Sequence, residues 1–528
     1  MKFALALMAA LALSAGPAAA TPGGPIVFVS MDDRPVTLQL PVLLGRIAGR
    51  SVVTPPHALL GHYLEPGSPD AIVAWLNARA PRNASAYVLS TDMLVYGGLL
   101  ASRVPGTTYD DAYYRVRDVI RLRDRRPKAW FAAFGTIMRL APTGIPAIGP
   151  GQPYFASGAT WQYLWKYAKL HDPLLPDEQA RAEQLRALAG SAFDEYVADR
   201  ARDLAVDRLW VAKAAAPSSA LDLLVLGQDD AGPIGIDVPD RVALEGDIAS
   251  DNAAQRVAIE PGADELGMAL VAHALARSVH WQPRVAVRYS TPGGALAQDP
   301  LEYAPVSVAI ARLIALCGGV ETDENPEIVL YVRVPATSAV QDDAFVSAMR
   351  ADETAGRSVA LADITFLEGG GNPGYADQGA FARRILADGV ARRLDAYASW
   401  NTNANTVGTA LAEAVAAGVG RRSGRYDALA HKEFTFMRFT DDYAYHVEVR
   451  PLLNAQLKAQ NIDRMLLLPP SAAAVAQENR ALLWNDAQGI LTQLYPGYHI
   501  AAMRITLPWD RTFETKIEVG LAPDVAGR

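Results

Sequence analysis

One cysteine and eight histidines in 528 residues set the first limits on this chain. Cys317 alone excludes an intramolecular disulfide framework and any cysteine-rich zinc module. The histidines form no H-E-x-x-H or H-x-x-E-H set, and no phosphate-binding loop or G-x-G-x-x-G follows a strand candidate, so the sequence calls for no metal ligand set and no cofactor. Basic charge is also short: 49 Lys+Arg stand against 57 Asp+Glu, a net charge of −8, which gives no electrostatic reason to expect a nucleic-acid partner. No stretch reaches the roughly 18 uninterrupted apolar residues that a membrane span requires. What the chain does have is a hydrophobic half, 50% of its residues, enough for a large core and too much for a disordered chain.

The first twenty residues predict a segment outside the fold. Lys2 precedes an apolar run from Phe3 to Leu13, Ser14-Ala15-Gly16-Pro17 breaks it, and Ala18-Ala19-Ala20 offers small residues for cleavage. That is the pattern of a secretory signal peptide. The mature protein is therefore expected to be secreted or periplasmic, with its thiol buried and no lipid anchor, because no cysteine follows Ala20.

Short runs rich in Val, Ile, Leu and Phe alternate with helix-like stretches, the mark of βα units and a parallel sheet. Eight strand candidates follow: Pro25–Ser30, Ala86–Thr91, Ala129–Gly135, Asp222–Gly227, Arg284–Tyr289, Glu327–Arg333, Ser358–Asp363 and Asp395–Trp400. Eight strands with intervening helices predict an α/β fold, a (β/α)8 barrel over residues 21–420 enlarged by insertions, although a doubly wound open sheet gives the same pattern. The largest insertion, at about 150–218, opens with Gly151-Gln152-Pro153-Tyr154-Phe155 and carries Trp161, Tyr163, Trp165 and Tyr167, suited either to a sugar-sized pocket or lid or to a helical subdomain held by its aromatics. From 421 to 528 the pattern changes to a small α+β module, with β segments expected at His431–Arg450 and His499–Leu521 and a helix at Pro470–Leu494. No repeat is evident.

In parallel sheets functional residues collect beyond the carboxyl ends of the strands. Read at those ends, the chain offers Asp32, Asp33 and Arg34 after strand one, Asp92 and Tyr96 after strand two, and Arg139 after strand three. Strand four supplies Asp229 and Asp230, strand seven runs into Glu368 in a glycine-rich loop, and strand eight supplies Trp400, Asn401, Asn403 and Asn405. Asp33 before Arg34-Pro35 also suits a turn or helix cap, and Asp264-Glu265 suits a helix start. Two adjacent carboxylates such as Asp229 and Asp230 repel, which a plain turn does not require; in different environments their pKa values separate, so that one serves as acid and the other stays charged. His273, at helical spacing, reads as core or surface.

The strings Met31-Asp32-Asp33-Arg34-Pro35-Val36, Ser90-Thr91-Asp92-Met93-Leu94-Val95-Tyr96-Gly97-Gly98-Leu99, Gln228-Asp229-Asp230-Ala231, Pro261-Gly262-Ala263-Asp264-Glu265 and Trp400-Asn401-Thr402 together resemble a bacterial secreted family of unknown function. Arg438-Phe439-Thr440-Asp441-Asp442-Tyr443 and Pro508-Trp509-Asp510-Arg511-Thr512-Phe513-Glu514 are similar to it as well. The resemblance spans nearly the whole chain and implies no activity. A looser analogy links Asp229 and Asp230, by position and type only, to barrel-class retaining hexosaminidases.

These readings lead to an expected glycoside hydrolase with a carbohydrate substrate. Asp230 would be general acid/base and Asp229 the nucleophile or the group orienting an acetamide. Asp32, Asp33, Arg34, Asp92, Tyr96, Arg139, Glu368, Trp400, Asn401 and Asn403 would bind substrate. Two alternatives remain: a metal-dependent phosphate or ester hydrolase with Asp32, Asp33, Asp92, Asp229, Asp230 and Asp363 around Mg²⁺ or Ca²⁺, and a non-catalytic glycan-binding protein.

Overall fold

A computed structural model describes residues 23–140, 158–216, 221–228, 230–365 and 374–524. The expected signal peptide, the opening of the insertion at Gly151–Phe155, Asp229 and Glu368 lie outside the described residues.

The first sheet contains β1 (Ile26–Val29), β2 (Val52–Val53), β3 (Ala86–Ser90), β4 (Trp130–Ile137), β5 (Leu223–Gln228) and β6 (Val257–Pro261), all parallel, in the order β2-β1-β3-β4-β5-β6. The second contains β7 (Arg284–Tyr289), β8 (Val320–Glu321), β9 (Ile328–Arg333), β10 (Ser358–Asp363) and β11 (Ala396–Ala398), also parallel, in the order β11-β10-β9-β7-β8. Each of the eight strand candidates between Pro25 and Trp400 is present as a strand. Their pairing corrects the barrel, because the described strands divide into two separate sheets instead of one closed ring. A run of βα units carries the same hydrophobic pattern in either case; what differs is which strands become neighbours.

Both sheets follow one winding rule. Read from its own first strand, the second sheet repeats the order 2-1-3-4-5 that the first sheet carries before β6 is added. The topology repeats where the sequence shows no repeat. In this doubly wound order the chain reverses direction between β1 and β3, and again between β7 and β9, and ligands of such sheets bind beyond the carboxyl ends at that switch.

Two helices join the sheets. Leu266–Ser278 packs on β1, β3 and β4, Asn403–Ser423 packs on β9, β10 and β11, and the two helices pack on each other. Both are buried around most of their circumference, which is why neither shows a clean amphipathic stripe. His273 belongs to this core: burial lowers it to about 4, Trp130 lies against its ring, and Nδ1 faces the Leu316 carbonyl at 3.0 Å. The outer face of the first sheet is covered by helices Pro69–Ala78, Tyr109–Asp124 and Ser191–Ala215. The described part of the insertion is helical, over Gly158–Ala168, Gln179–Ala189 and Ser191–Ala215.

The C-terminal region needs a correction. His431–Arg450 is not β: it forms helix Ala428–Arg438 and then a wide π-type helix Phe439–Val449. Its aromatic and β-branched residues favour strand, but the segment is buried on all sides, and such a run does not distinguish strand from helix by periodicity. Helix Ser471–Leu494 and the antiparallel hairpin β12 (Tyr498–Thr506) with β13 (Lys516–Pro523) follow as expected. Among the described residues no helix is long and apolar enough to cross a membrane.

Candidate functional site

At the end of β1 the chain turns sharply and buries three charged residues in succession. The Asp32 carboxylate accepts from the Arg34 amide at 3.0 Å, from Arg34 Nε at 2.9 Å and from Thr37 Oγ1 at 2.5 Å. Arg34 then reaches Asp264 with both guanidinium nitrogens, at 3.1 and 2.7 Å. Such a fork places the cation firmly. Asp264, expected only to start a helix, therefore belongs to this cluster. Asp33 serves a different purpose: it accepts from Trp509 Nε1 at 2.7 Å and faces His62 Nδ1 at 2.7 Å and His57 Nε2 at 3.2 Å. It ties β1 to the C-terminal hairpin region.

Arg34 borders a cavity of about 10 Å³, the space of one water, shared with Trp400, Arg438, Asp441 and Glu514. Two wide π-type turns, Pro35–Gln39 and Phe439–Val449, supply residues to its wall. Such turns are rare and recur at functional sites. Trp400 stacks on His446 with ring centres 4.1 Å apart, and its buried indole N–H has no hydrogen-bond partner among the described residues. Arg438 lies between Asp441 and Asp442. Burial would raise Asp441, but Arg438 and His446 outweigh it and hold this carboxyl below its ordinary range. Burial dominates at Asp442 and raises it. Burial also raises Glu514, against the opposing fork of Arg511 at 3.0 and 2.7 Å.

Across the switch from β1 lies the end of β3. Burial, with Asp203 nearby, pushes the Asp92 carboxyl up to about 7, and Thr136 donates to its Oδ1 at 3.1 Å. Burial raises Tyr96 as well, and Asp203 adds to it. These two residues face the insertion helix Ser191–Ala215 and do not line the Arg34 cavity.

At the ends of β4 and β5, Arg139 pairs with Asp230, and Asp230 has a left-handed backbone at φ 39°. The next residue carries the link to the second sheet: the Ala231 amide donates to the Leu301 carbonyl at 2.9 Å. Beside Leu301, Glu302 accepts the Ala404 amide at 2.7 Å, and burial pushes its carboxyl up to about 8. The Trp400–Asn405 turn is thus drawn to the end of β5. Within it Asn405 Nδ2 donates to the Trp400 carbonyl at 3.2 Å, Asn401 takes φ 74°, and the buried Oδ1 atoms of Asn403 and Asn405 have no partner among the described residues. Glu302 was missed in the sequence, where Asp299-Pro300-Leu301-Glu302 before a helix is an ordinary acidic loop.

Asp363 lies apart from all of these. It sits beside Arg333, which also forks onto Asp342 and Asp377, at the end of β10. The described members of the six-aspartate set therefore occupy separate local networks, and among the described residues no three His, Cys, Asp or Glu side chains are grouped to hold a metal. Of the expected site residues, Arg34 and Trp400 share one cavity with Asp32 bonded to Arg34 behind it, Arg139 and Asp230 form one pair, and Asn401 and Asn403 sit on the turn that reaches toward that pair.

A family model described as a protein of unknown function, DUF4127, matches residues 26–518, and the chain belongs to that family. No curated protein and no solved structure matches the chain.

Proposed function

We propose that this DUF4127 protein is a hydrolase of a hydroxyl-rich, carbohydrate-type substrate, acting outside the cytoplasm. The carrying observation is the backbone tie that brings the end of β5, with Asp230, to the loop before helix Val306–Leu316, with Glu302: the Ala231 amide donates to the Leu301 carbonyl at 2.9 Å. Asp230 is paired with Arg139, whereas burial raises Glu302 to about 8, so that at neutral pH Glu302 keeps its proton. Unlike environments of this kind divide acid and base roles between two carboxyls. Glu302 is the proton donor to a leaving oxygen in this reading, and Asp230 is the base or nucleophile. This differs from the assignment expected from the sequence, in which Asp230 is general acid/base and Asp229 the nucleophile or the group orienting an acetamide.

The neighbouring turn supports the substrate class. Trp400 Nε1 and the Oδ1 atoms of Asn403 and Asn405 are one donor and two acceptors, buried without protein partners among the described residues. Buried polar atoms are nearly always satisfied, and hydroxyl groups, which both donate and accept, suit such a mixed set. The extracytoplasmic setting rests on the Lys2, Phe3–Leu13 and Ala18–Ala20 pattern.

The test is a screen of reducing-sugar release and chromogenic glycosides with wild type, Asp230→Asn and Glu302→Gln, each checked for folding by circular dichroism. Each variant is expected to lose about 10²–10⁴-fold in turnover, the size of an acid or base contribution. Full activity of folded Asp230→Asn on the best substrate would remove the assignment.

A further inference from the structure

We infer that docking of the insertion helix Ser191–Ala215 onto the first sheet is proton-controlled, tight in acid and loosened as the solution becomes neutral. The geometry is a stripe of carboxyls on the inner side of that helix. Asp199, Asp203 and Asp207 recur at four-residue spacing, so they share one face, and all three are buried. Asp92 meets this stripe from the start of helix Thr91–Val95, with Oδ1 bonded to Thr136 and Oδ2 buried without a hydrogen bond.

Cations are too few to balance these acids. Arg202 on the same helix bonds Asp199 at 3.1 Å and Asp203 at 2.9 Å, while donating also to the carbonyls of Ser102 and Val104. Arg103, beyond helix Leu99–Ser102, lies close enough to favour the charged form of Asp92. Arg200 pairs with Asp240 on helix Val238–Ser250, with Asp237 nearby, and is close enough to lower Asp203. Tyr96 lies beside Asp203 with its hydroxyl buried and unbonded among the described residues, and Glu195 adds a like charge beside Asp199. Asp207 has neither a hydrogen bond nor an ion pair among the described residues, and its charged neighbours Asp203, Asp92 and Asp240 are all acidic. A buried carboxyl so placed is neutral or forces its surroundings to open.

The direction of the effect follows from linkage. Burial pushes Asp92 and Asp199 up to about 7 and Asp203 up to about 6, and it raises Asp207 further with Asp203 and Asp92 alongside. Carboxyls that hold protons more tightly when docked stabilise docking fully below their ordinary pKa near 4, and that stabilisation is lost as pH rises through about 6 to 7. The same helix anchors the end of β4: Arg200 donates to the carbonyls of Met138 at 3.0 Å and Arg139 at 2.6 Å, and Tyr196 donates to that of Leu140. Loosening it frees the segment that positions Arg139 against Asp230. That consequence for turnover rests on the function proposed above; the docking itself does not.

Hydrogen exchange by mass spectrometry on the full chain tests the docking without reference to activity. Peptides spanning 191–215 are expected to exchange several-fold faster at pH 8 than at pH 5, after correction for the chemical exchange rate. Peptides from the central helix Asn403–Ser423 serve as the reference and are expected to change little. Asp207→Asn and Asp199→Asn, which mimic the protonated forms, are expected to restore protection at pH 8. Equal protection of wild type at both pH values overturns the inference, and so does an undiminished pH dependence in either folded variant. Should Asp207→Asn fail to fold, wild type and Asp199→Asn still decide it.

Discussion

The guanidinium of Arg34 connects Asp32, two positions away, with Asp264, 230 positions away, and lies over the Trp509 ring at 5.3 Å. One side chain thus joins the ends of β1 and β6 to the C-terminal region. Both carboxylates are largely out of water, so losing the cation leaves two uncompensated buried charges. Arg34→Met is expected to destabilise the chain by about 3–5 kcal/mol, the usual cost of breaking a buried pair from one side. Arg34→Lys keeps the charge without the fork and should fall between that variant and wild type. Urea unfolding checks the order, and a wild-type midpoint for Arg34→Met would show that the pair contributes little. Half of this cluster was legible in the sequence: Asp32, Asp33 and Arg34 end an apolar run with charge, which marks a strand-end rim. Asp264 was not legible, because an acid after Pro-Gly-Ala serves a helix start equally well, and only long-range packing selects Arg34 as its partner.

Among the elements, the strands were the most legible and the buried helices the least. The eight expected strands carry dense runs of branched apolar residues, whereas β2 and β8 have two residues each and present no pattern to read. β6 was missed for a different reason: Glu260 and Pro261 interrupt its apolar character just where its end reaches the rim. The helix over His431–Arg450 carries a strand-like pattern because burial on nearly every side removes the 3.6-residue stripe. At the switch between β1 and β3 the constraint is instead on the backbone. Gly97 has φ 92°, and a Cβ there would meet the Gly67 amide nitrogen at 2.8 Å and its carbonyl oxygen at 2.9 Å. Gly97→Ala therefore adds left-handed strain of about 1–2 kcal/mol to a clash with backbone that has no flexible end to move. The expected result is a loss of more than about 2 kcal/mol, with displacement of the Gly61–Gly67 turn and of the His62 contact to Asp33. Thermal unfolding and the exchange of residues 57–67 would record both, and an unchanged midpoint would show that the turn yields freely.

For the whole molecule the decisive feature is continuity of the core. One apolar cluster runs from Ile26 on β1 through both central helices to Leu521 on β13, taking in both sheets and the C-terminal region. A second, smaller cluster lies on the outer face of the first sheet. Polar ties repeat the same connection: Trp509 donates to Asp33, Tyr63 donates to the Met465 carbonyl, and the Ser399 amide donates to Asp442. A chain of this length would ordinarily unfold in steps, because separate cores melt separately. Here the inner faces of both sheets and the C-terminal helices share one core, so the full chain is expected to give a single calorimetric transition for that body. Removing residues 421–528 tests this most directly. The truncation strips Arg438, Asp441, Glu514 and Thr515 from the cavity that holds Arg34 and Trp400, and it bares apolar surface on helix Leu40–Ile47, which packs against helix Ala428–Arg438. Exposed patches of that kind aggregate. The expected product is associated protein with no cooperative melt, read by size exclusion and calorimetry. A monomeric 21–420 fragment with its own sharp transition would instead mean that the two sheets hold a complete core between them and that the C-terminal residues only close the site.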